Sequence, residues 1–182
     1  PVNPRGSDID GMRCYTSIDD LPGAPDAAMI LLGPAGTEDA ARQLSALGTK
    51  VAIVLAGGYG ETGPAGVKRQ AALSEAAGKM RVLGPNTIGL LNLRDGITLS
   101  ASGALDTKHL TAGSIGVISQ SGGILGSLLS RAAAKGIGLS HLAATGNEGD
   151  LEVCDILEWM IGEDNTSVIT LYLEGLRDTQ RF

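Results

Sequence analysis

The stretch "VAIVLAGGYGETGPAGVKRQAALSEAAG", residues 51–78, decides how this chain folds. Val51 to Ala56 is an uncut apolar run of the length and composition of a strand buried on both faces. Gly58, Gly60 and Gly63 follow at G-x-G-x-x-G spacing, then Pro64 where a helix accepts proline, then an Ala-rich segment of helical period. The same rhythm lies on either side: "AAMILLG" (27–33) precedes a helical segment over 36–47, and "MRVLG" (80–84) comes after. Short apolar strands alternating with helices through short links predict an α/β unit, its parallel sheet covered by helices on both faces, from residue 1 to about residue 94.

Between Asn92 and Gly113 the rhythm lapses into a Gly-, Ser-, Thr- and Asp-rich stretch without sustained period, which predicts a linker or extended crossover. It restarts with strands expected over 114–119, 139–144 and 167–175 and helices over 123–135 and 151–161. This is a second α/β unit. The first unit opens at a proline and the second stops at Phe182 where another helix is due, so both ends read as cut.

Composition excludes several classes of function. The net charge of −6 and the low aromatic content, 3%, argue against a broad nucleic-acid footprint. Neither a membrane span nor a signal peptide is supported, so a cytoplasmic location is expected. Cys14 and Cys154 lack C-x-x-C or His-rich company and read as reduced, packed thiols, and no metal site is expected. Anionic ligands stay open, because helix N-termini and glycine-exposed amides bind phosphate without lysine or arginine.

A dinucleotide-binding turn needs an acidic residue about 20 positions on, at the end of the next strand. Gly84, Pro85 and Asn86 stand there instead. An NAD(P) site and a plain strand-to-helix turn remain alternatives to a different ligand at the same sheet edge. The turns after residues 32, 56 and 84 converge beyond the C-terminal ends of parallel strands, which suits a long flat ligand crossing several of them. The opening "PVNPRG" is a candidate fourth wall, with Arg5 as a cation for a phosphate.

In the second unit, "VISQSGGILGSLLSRAAAKG" (117–136) runs a buried strand into Ser121, Gly122 and Gly123 and then a helix. Ser121 is a good N-cap, and the glycines leave the first-turn amides open to an anion. The sequence S-Q-S-G-G misses the first glycine of a hydrolase elbow. Glu148 and Asp150 read as helix caps. Glu174 stands at the C-terminal end of the last strand, on the same edge as Ser121, where a carboxylate can orient a histidine. His109 in the irregular stretch and His141 in an apolar strand read as structural, Tyr172 and Trp159 as core.

Taken in order, "PVNP", "CYTSIDDLPGAPDAAMI", "GGYGETG", "MRVLGPNTIGLLN", "SIGVISQSGGILGSLL", "GIGLSHLAATGNEGDLEVCDIL" and "ITLYLEGLRD" resemble the NDP-forming acyl-CoA synthetases, relatives of the succinyl-CoA synthetase α subunit. The resemblance is collinear over essentially the whole chain. It implies a Rossmann-like CoA-binding domain over 1–100 and a flavodoxin-like ligase domain over 112–182. The implied reaction interconverts acid, CoA and ATP with acyl-CoA, ADP and phosphate through an acyl phosphate and a phosphorylated histidine. It also implies CoA as ligand, with ATP or ADP and Mg in the complete enzyme, a nucleotide-grasp domain or subunit as partner, and an oligomer.

By motif, the resemblance assigns CoA to Asn3, Pro4, Arg5, Leu55, Ala56, Gly57, Gly84, Pro85 and Asn86. It assigns the phosphoryl group to Ser121, Gly122 and Gly123, and the pairing of the phosphorylated histidine to Glu174. The family's first strand is expected before Pro1 and its histidine loop after Phe182, so the chain alone is not expected to complete the reaction. A CoA-binding regulatory module of a protein acetyltransferase is the alternative from another class.

Overall fold

A computed structural model describes residues 1–106 and 110–182; His109 lies outside the described residues. The first unit is a three-stranded parallel sheet in the order β1-β2-β3, with β1 Ala27–Ile30, β2 Val51–Val54 and β3 Arg81–Leu83. Register pairs Ala28 with Ala52 and Ala52 with Val82. Helices α1 (Pro34–Leu47) and α2 (Pro64–Ala77) bridge consecutive strands and pack on each other. Two right-handed crossovers in the same direction put both helices on one face, so the expectation of helices on both faces is corrected for this unit. Ile30, Ala41, Val54, Leu73 and Val82 form the core beneath them.

The second sheet has the order β5-β4-β7-β6-β8. Three strands are parallel: β6 (Ala112–Ser119), β7 (Leu139–Ala144) and β8 (Val168–Tyr172). Helix α3 (Gly122–Lys135) covers one face over Val117, Leu125, Leu129 and Leu142, while α4 (Val153–Ile161) covers the other over Ile118 and Met160. A strand order of 7-6-8 with helices on opposite faces is the doubly wound pattern, and it creates a topological switch point between β6 and β8.

The stretch expected as a crossover departs from its sequence reading. Strands β4 (Gly89–Asn92) and β5 (Ile97–Ser100) form an antiparallel hairpin, and β4 pairs antiparallel with β7. Strand pairing therefore assigns residues 89–100 to the second sheet, which is mixed rather than purely parallel. The cause is local: Asn92 Oδ1 accepts the N–H groups of Arg94 and Asp95 and closes the turn, and alternate burial along β4 delivers Leu91 to the core under α3.

Trp159 and Tyr172, expected in the core, are 53% and 38% exposed. Trp159 stands on the outer side of α4, its ring edge-on to buried His141 at 4.8 Å, and Tyr172 ends the edge strand β8. Cys14 and Cys154 are both free and buried. Among the described residues no helix is long and apolar enough to cross a membrane.

Candidate functional site

Two rims lie beyond the C-terminal ends of the parallel strands. At the first, the turns after β2 and β3 touch: the Asn86 N–H donates to the Ala56 carbonyl at 2.8 Å, and a Cβ added to Gly57 would lie 3.3 Å from Asn86 Oδ1. Gly57 and Asn86 are exposed and Leu55 and Ala56 half-buried. Gly84 and Pro85, joined by a cis peptide bond, are buried. The Gly84 carbonyl accepts from the Gly149 N–H at 2.7 Å and the Pro85 carbonyl from the Asn147 N–H at 2.9 Å. Of the three residues in that turn, only Asn86 is exposed.

Those two bonds belong to a seam between the units. Residues 145–151, which follow β7, run along the free edge of β3: the Leu151 N–H donates to the Val82 carbonyl at 3.0 Å, and Asp150 accepts from the Val82 N–H at 2.8 Å and from Arg81 Nε at 2.9 Å. The loop thus satisfies backbone groups that an edge strand would leave to water. Buried Glu148, 4% exposed, accepts from Thr145 Oγ1 and from the first amide of α4, Val153 N–H, from upstream of the helix, whose N-cap is Glu152 in a capping box with Asp155. Asp150, also expected to cap, is instead spent on β3.

Asn147 reaches furthest into the first rim. Its Nδ2 donates to Glu61 and to Gln70 Oε1, and its Oδ1 accepts from Asn86 Nδ2 at 3.2 Å. Glu61 in turn accepts from the N–H groups of Gly58 and Tyr59, and Gln70 Oε1 from the Gly60 N–H at 3.2 Å. Burial works against the charged form of Glu61, but the bonds from Asn147 and from the Gly58 and Tyr59 amides outweigh it and hold the carboxyl below its ordinary pKa. Asn3 and Arg5 lie in an exposed segment bridged to Tyr15, with the Asn3 N–H on the Tyr15 carbonyl and the Arg5 N–H on Asn3 Oδ1. Among the described residues neither bonds to the glycine turns.

The second rim is the switch point. Ser121 Oγ caps α3 by accepting the Ile124 N–H at 3.4 Å, and Ser119 Oγ pins the turn from below, accepting the Ser121 N–H at 3.1 Å and donating to its carbonyl at 2.7 Å. Among the described residues the amides of Gly122 and Gly123 have no intramolecular acceptor. They border a cleft of about 640 Å³ that Ser102, Ser127 and Arg131 also line. Gly122 packs close under Ile88: an added Cβ would stand 2.8 Å from Ile88 Cγ2, so a larger residue there would displace that side chain. Glu174 is exposed just past β8, and Gln120 ties it to the same turn: Oε1 accepts the Glu174 and Gly175 N–H groups while Nε2 donates to the Gly175 carbonyl at 2.8 Å. Ser121 and Glu174 thus stand at one edge of one sheet, in the turns that follow adjacent strands β6 and β8.

Three residues of this geometry escape sequence reading. Gln120 sits between two serines whose capping pattern drew attention to itself. Glu61 lies within reach of its own turn's amides, a signal present in "GYGE". Asn147 acts only across the seam, which periodicity cannot reveal. Among the described residues, no group of three or more His, Cys, Asp or Glu side chains could hold a metal ion. Buried His141 packs on Trp159 with Nδ1 3.4 Å from Thr166 Oγ1, away from both rims.

Residues 1–92 match the CoA binding domain family, and residues 112–182 match the succinyl-CoA ligase like flavodoxin domain. The whole chain is 31% identical, over 184 aligned residues, to the acetate–CoA ligase (ADP-forming) II subunit alpha of Pyrococcus furiosus, spanning 39% of that protein. It is also 31% identical to the 4-hydroxybutyrate–CoA ligase (ADP-forming) of Nitrosopumilus maritimus, spanning 26% of it. The acetyl-coenzyme A synthetase 1 of Candidatus Korarchaeum cryptofilum, solved with phosphate and ADP, superposes with a TM-score of 0.90 at 30% identity over 98% of this chain and 38% of that one.

Proposed function

Because the chain belongs to the NDP-forming acyl-CoA synthetase family, we propose that it supplies the CoA crevice and the phosphoryl rim of an ADP-forming acid–CoA ligase. The observation that carries this reading is the pairing of rims: two touching turns at the end of one parallel sheet, and Ser121 and Glu174 flanking the switch point of the next. In the ATP-forming direction, phosphate oxygen attacks the thioester carbonyl and the C–S bond breaks, releasing CoA and leaving an acyl phosphate. A histidine nitrogen then takes the phosphoryl group, releasing the acid, and passes it to ADP.

In this reading Leu55, Ala56, Gly57 and Asn86 wall the CoA, with Gly84 and Pro85 holding that wall from beneath. The residues fit a flat ligand, since Gly57 is exposed and a Cβ there would intrude to 3.2 Å from Glu61 Oε1. Asn3, Pro4 and Arg5 close over the CoA from the N-terminal segment. The unpaired amides of Gly122 and Gly123, at the positive end of α3, stabilise the migrating phosphoryl group, and Ser121 holds that helix end in place. Glu174 orients and charge-stabilises the phosphorylated histidine, which is neither His141 nor His109. The metal and the nucleotide are assigned to a nucleotide-grasp partner, as the family resemblance implies. The relatives act on different acids, and small carboxylic acids are the substrate class.

A regulatory module of an acetyltransferase and an NAD(P) site find no support in the comparisons. The test is Ser121→Ala in the complete enzyme. Losing the cap costs about 1 kcal/mol of stability, and phosphoenzyme formation falls at least tenfold while CoA affinity holds. Equal loss of CoA binding would contradict the division into two rims.

A further inference from the structure

The glycine turn has the spacing of a phosphate-binding loop, yet three of its amide donors, at Gly58, Tyr59 and Gly60, are already taken. Three successive amides are satisfied from within: those of Gly58 and Tyr59 by the Glu61 carboxylate, with Tyr59 N 3.2 and 3.1 Å from its two oxygens, and that of Gly60 by Gln70 Oε1 at 3.2 Å. Gly58 is at φ +94°, which bends the backbone so that consecutive N–H groups converge, the geometry of an anion nest. Asn147, arriving from the second unit, donates to Glu61 and to Gln70 and so fixes both acceptors at once. A resident carboxylate therefore occupies the Gly58 and Tyr59 amides that an anion entering this turn would need.

We propose that Glu61 is a specificity-determining residue of the crevice: its carboxylate plugs the amide nest at Gly58 and Tyr59 and bars phosphate groups from the glycine turn. A ligand that crosses the turn does so with a part carrying no phosphate, and diphosphate-anchored dinucleotides are rejected. The proposal rests on the CoA reading only in naming the ligand that crosses; the exclusion itself stands on the hydrogen bonds. A carboxylate plug excludes a phosphate twice over, by filling the donors and by like-charge repulsion.

The test is titration calorimetry of the 182-residue chain with two probes, ADP-ribose and CoA, in the wild type and in Glu61→Ala, Glu61→Ser and Glu61→Gln, each checked for folding by circular dichroism. Alanine and serine vacate the nest, so ADP-ribose binding tightens at least tenfold over the wild type in whichever of these variants is folded, and inorganic pyrophosphate competes with it. Glutamine keeps an oxygen at both donors without the charge, so ADP-ribose affinity stays within twofold of the wild type. Folded Ala or Ser variants that bind ADP-ribose no better than the wild type overturn the proposal, as does an equal gain in the Gln variant. Absence of CoA binding in the wild-type chain, with the ADP-ribose gain intact, leaves the exclusion standing and returns the CoA reading to a titration of the complete enzyme, where absence of CoA binding removes it.

Discussion

In the complete enzyme, Glu174→Gln is expected to lower phosphoenzyme formation roughly 100-fold or more while CoA affinity stays within about twofold. The amide is isosteric with the carboxylate, and the backbone around residue 174 is held by Gln120 through bonds that do not involve the Glu174 side chain. The substitution therefore leaves the rim in place and removes one charge. A phosphorylated histidine is stabilised by a carboxylate that accepts its remaining N–H and offsets its positive ring; a neutral amide does neither as well. Incorporation of labelled phosphate, read beside CoA titration on the same sample, checks the prediction. Unchanged phosphoenzyme would remove Glu174 from the reaction.

The second large effect is structural. Gly66→Ala is expected to destabilise the chain by about 2 kcal/mol or more, lowering Tm by about 4–8 °C for a chain of this size. Gly66 is a buried residue in the first turn of α2, where a Cβ would overlap the Tyr59 carbonyl oxygen and Thr62 Oγ1. In an open helix the change would gain about 1 kcal/mol in propensity. Here overlap with backbone outweighs that gain, because a carbonyl inside a hydrogen-bonded turn cannot rotate away as a side chain can. The same displacement moves Tyr59 and the turn carrying Gly57, so CoA affinity should fall with Tm. A variant as stable as the wild type would show that α2 tolerates sliding off the turn.

What sequence conveyed, and what it did not, divides along physical lines. Strands β6 and β7 were legible because helices on both faces of their sheet call for continuous apolar runs, β1 and β2 as short apolar runs closed by glycine turns, and α3 because its apolar spacing follows a serine cap and ends at Gly136. The β4–β5 hairpin was obscured because four-residue strands carry little period and the turn between them reads as a linker. Placement of the Ser121 and Glu174 turns on one edge follows from parallel strand order and was foreseeable. Their chemical roles rest on family resemblance, not on spacing. Burial of Gly84 and Pro85 beneath residues 145–149, and the reach of Asn147 to Glu61, are products of two units meeting, and no pattern within either unit encodes them.

The central claim is that CoA and the phosphoryl group occupy separate rims of adjoining sheets. Amide hydrogen exchange of the complete enzyme with and without saturating CoA tests it most directly. CoA is expected to slow exchange across residues 55–60 and 86–88 and to leave 120–124 unchanged. Slowing confined to 120–124, with 55–60 exchanging as in the free enzyme, would contradict the account.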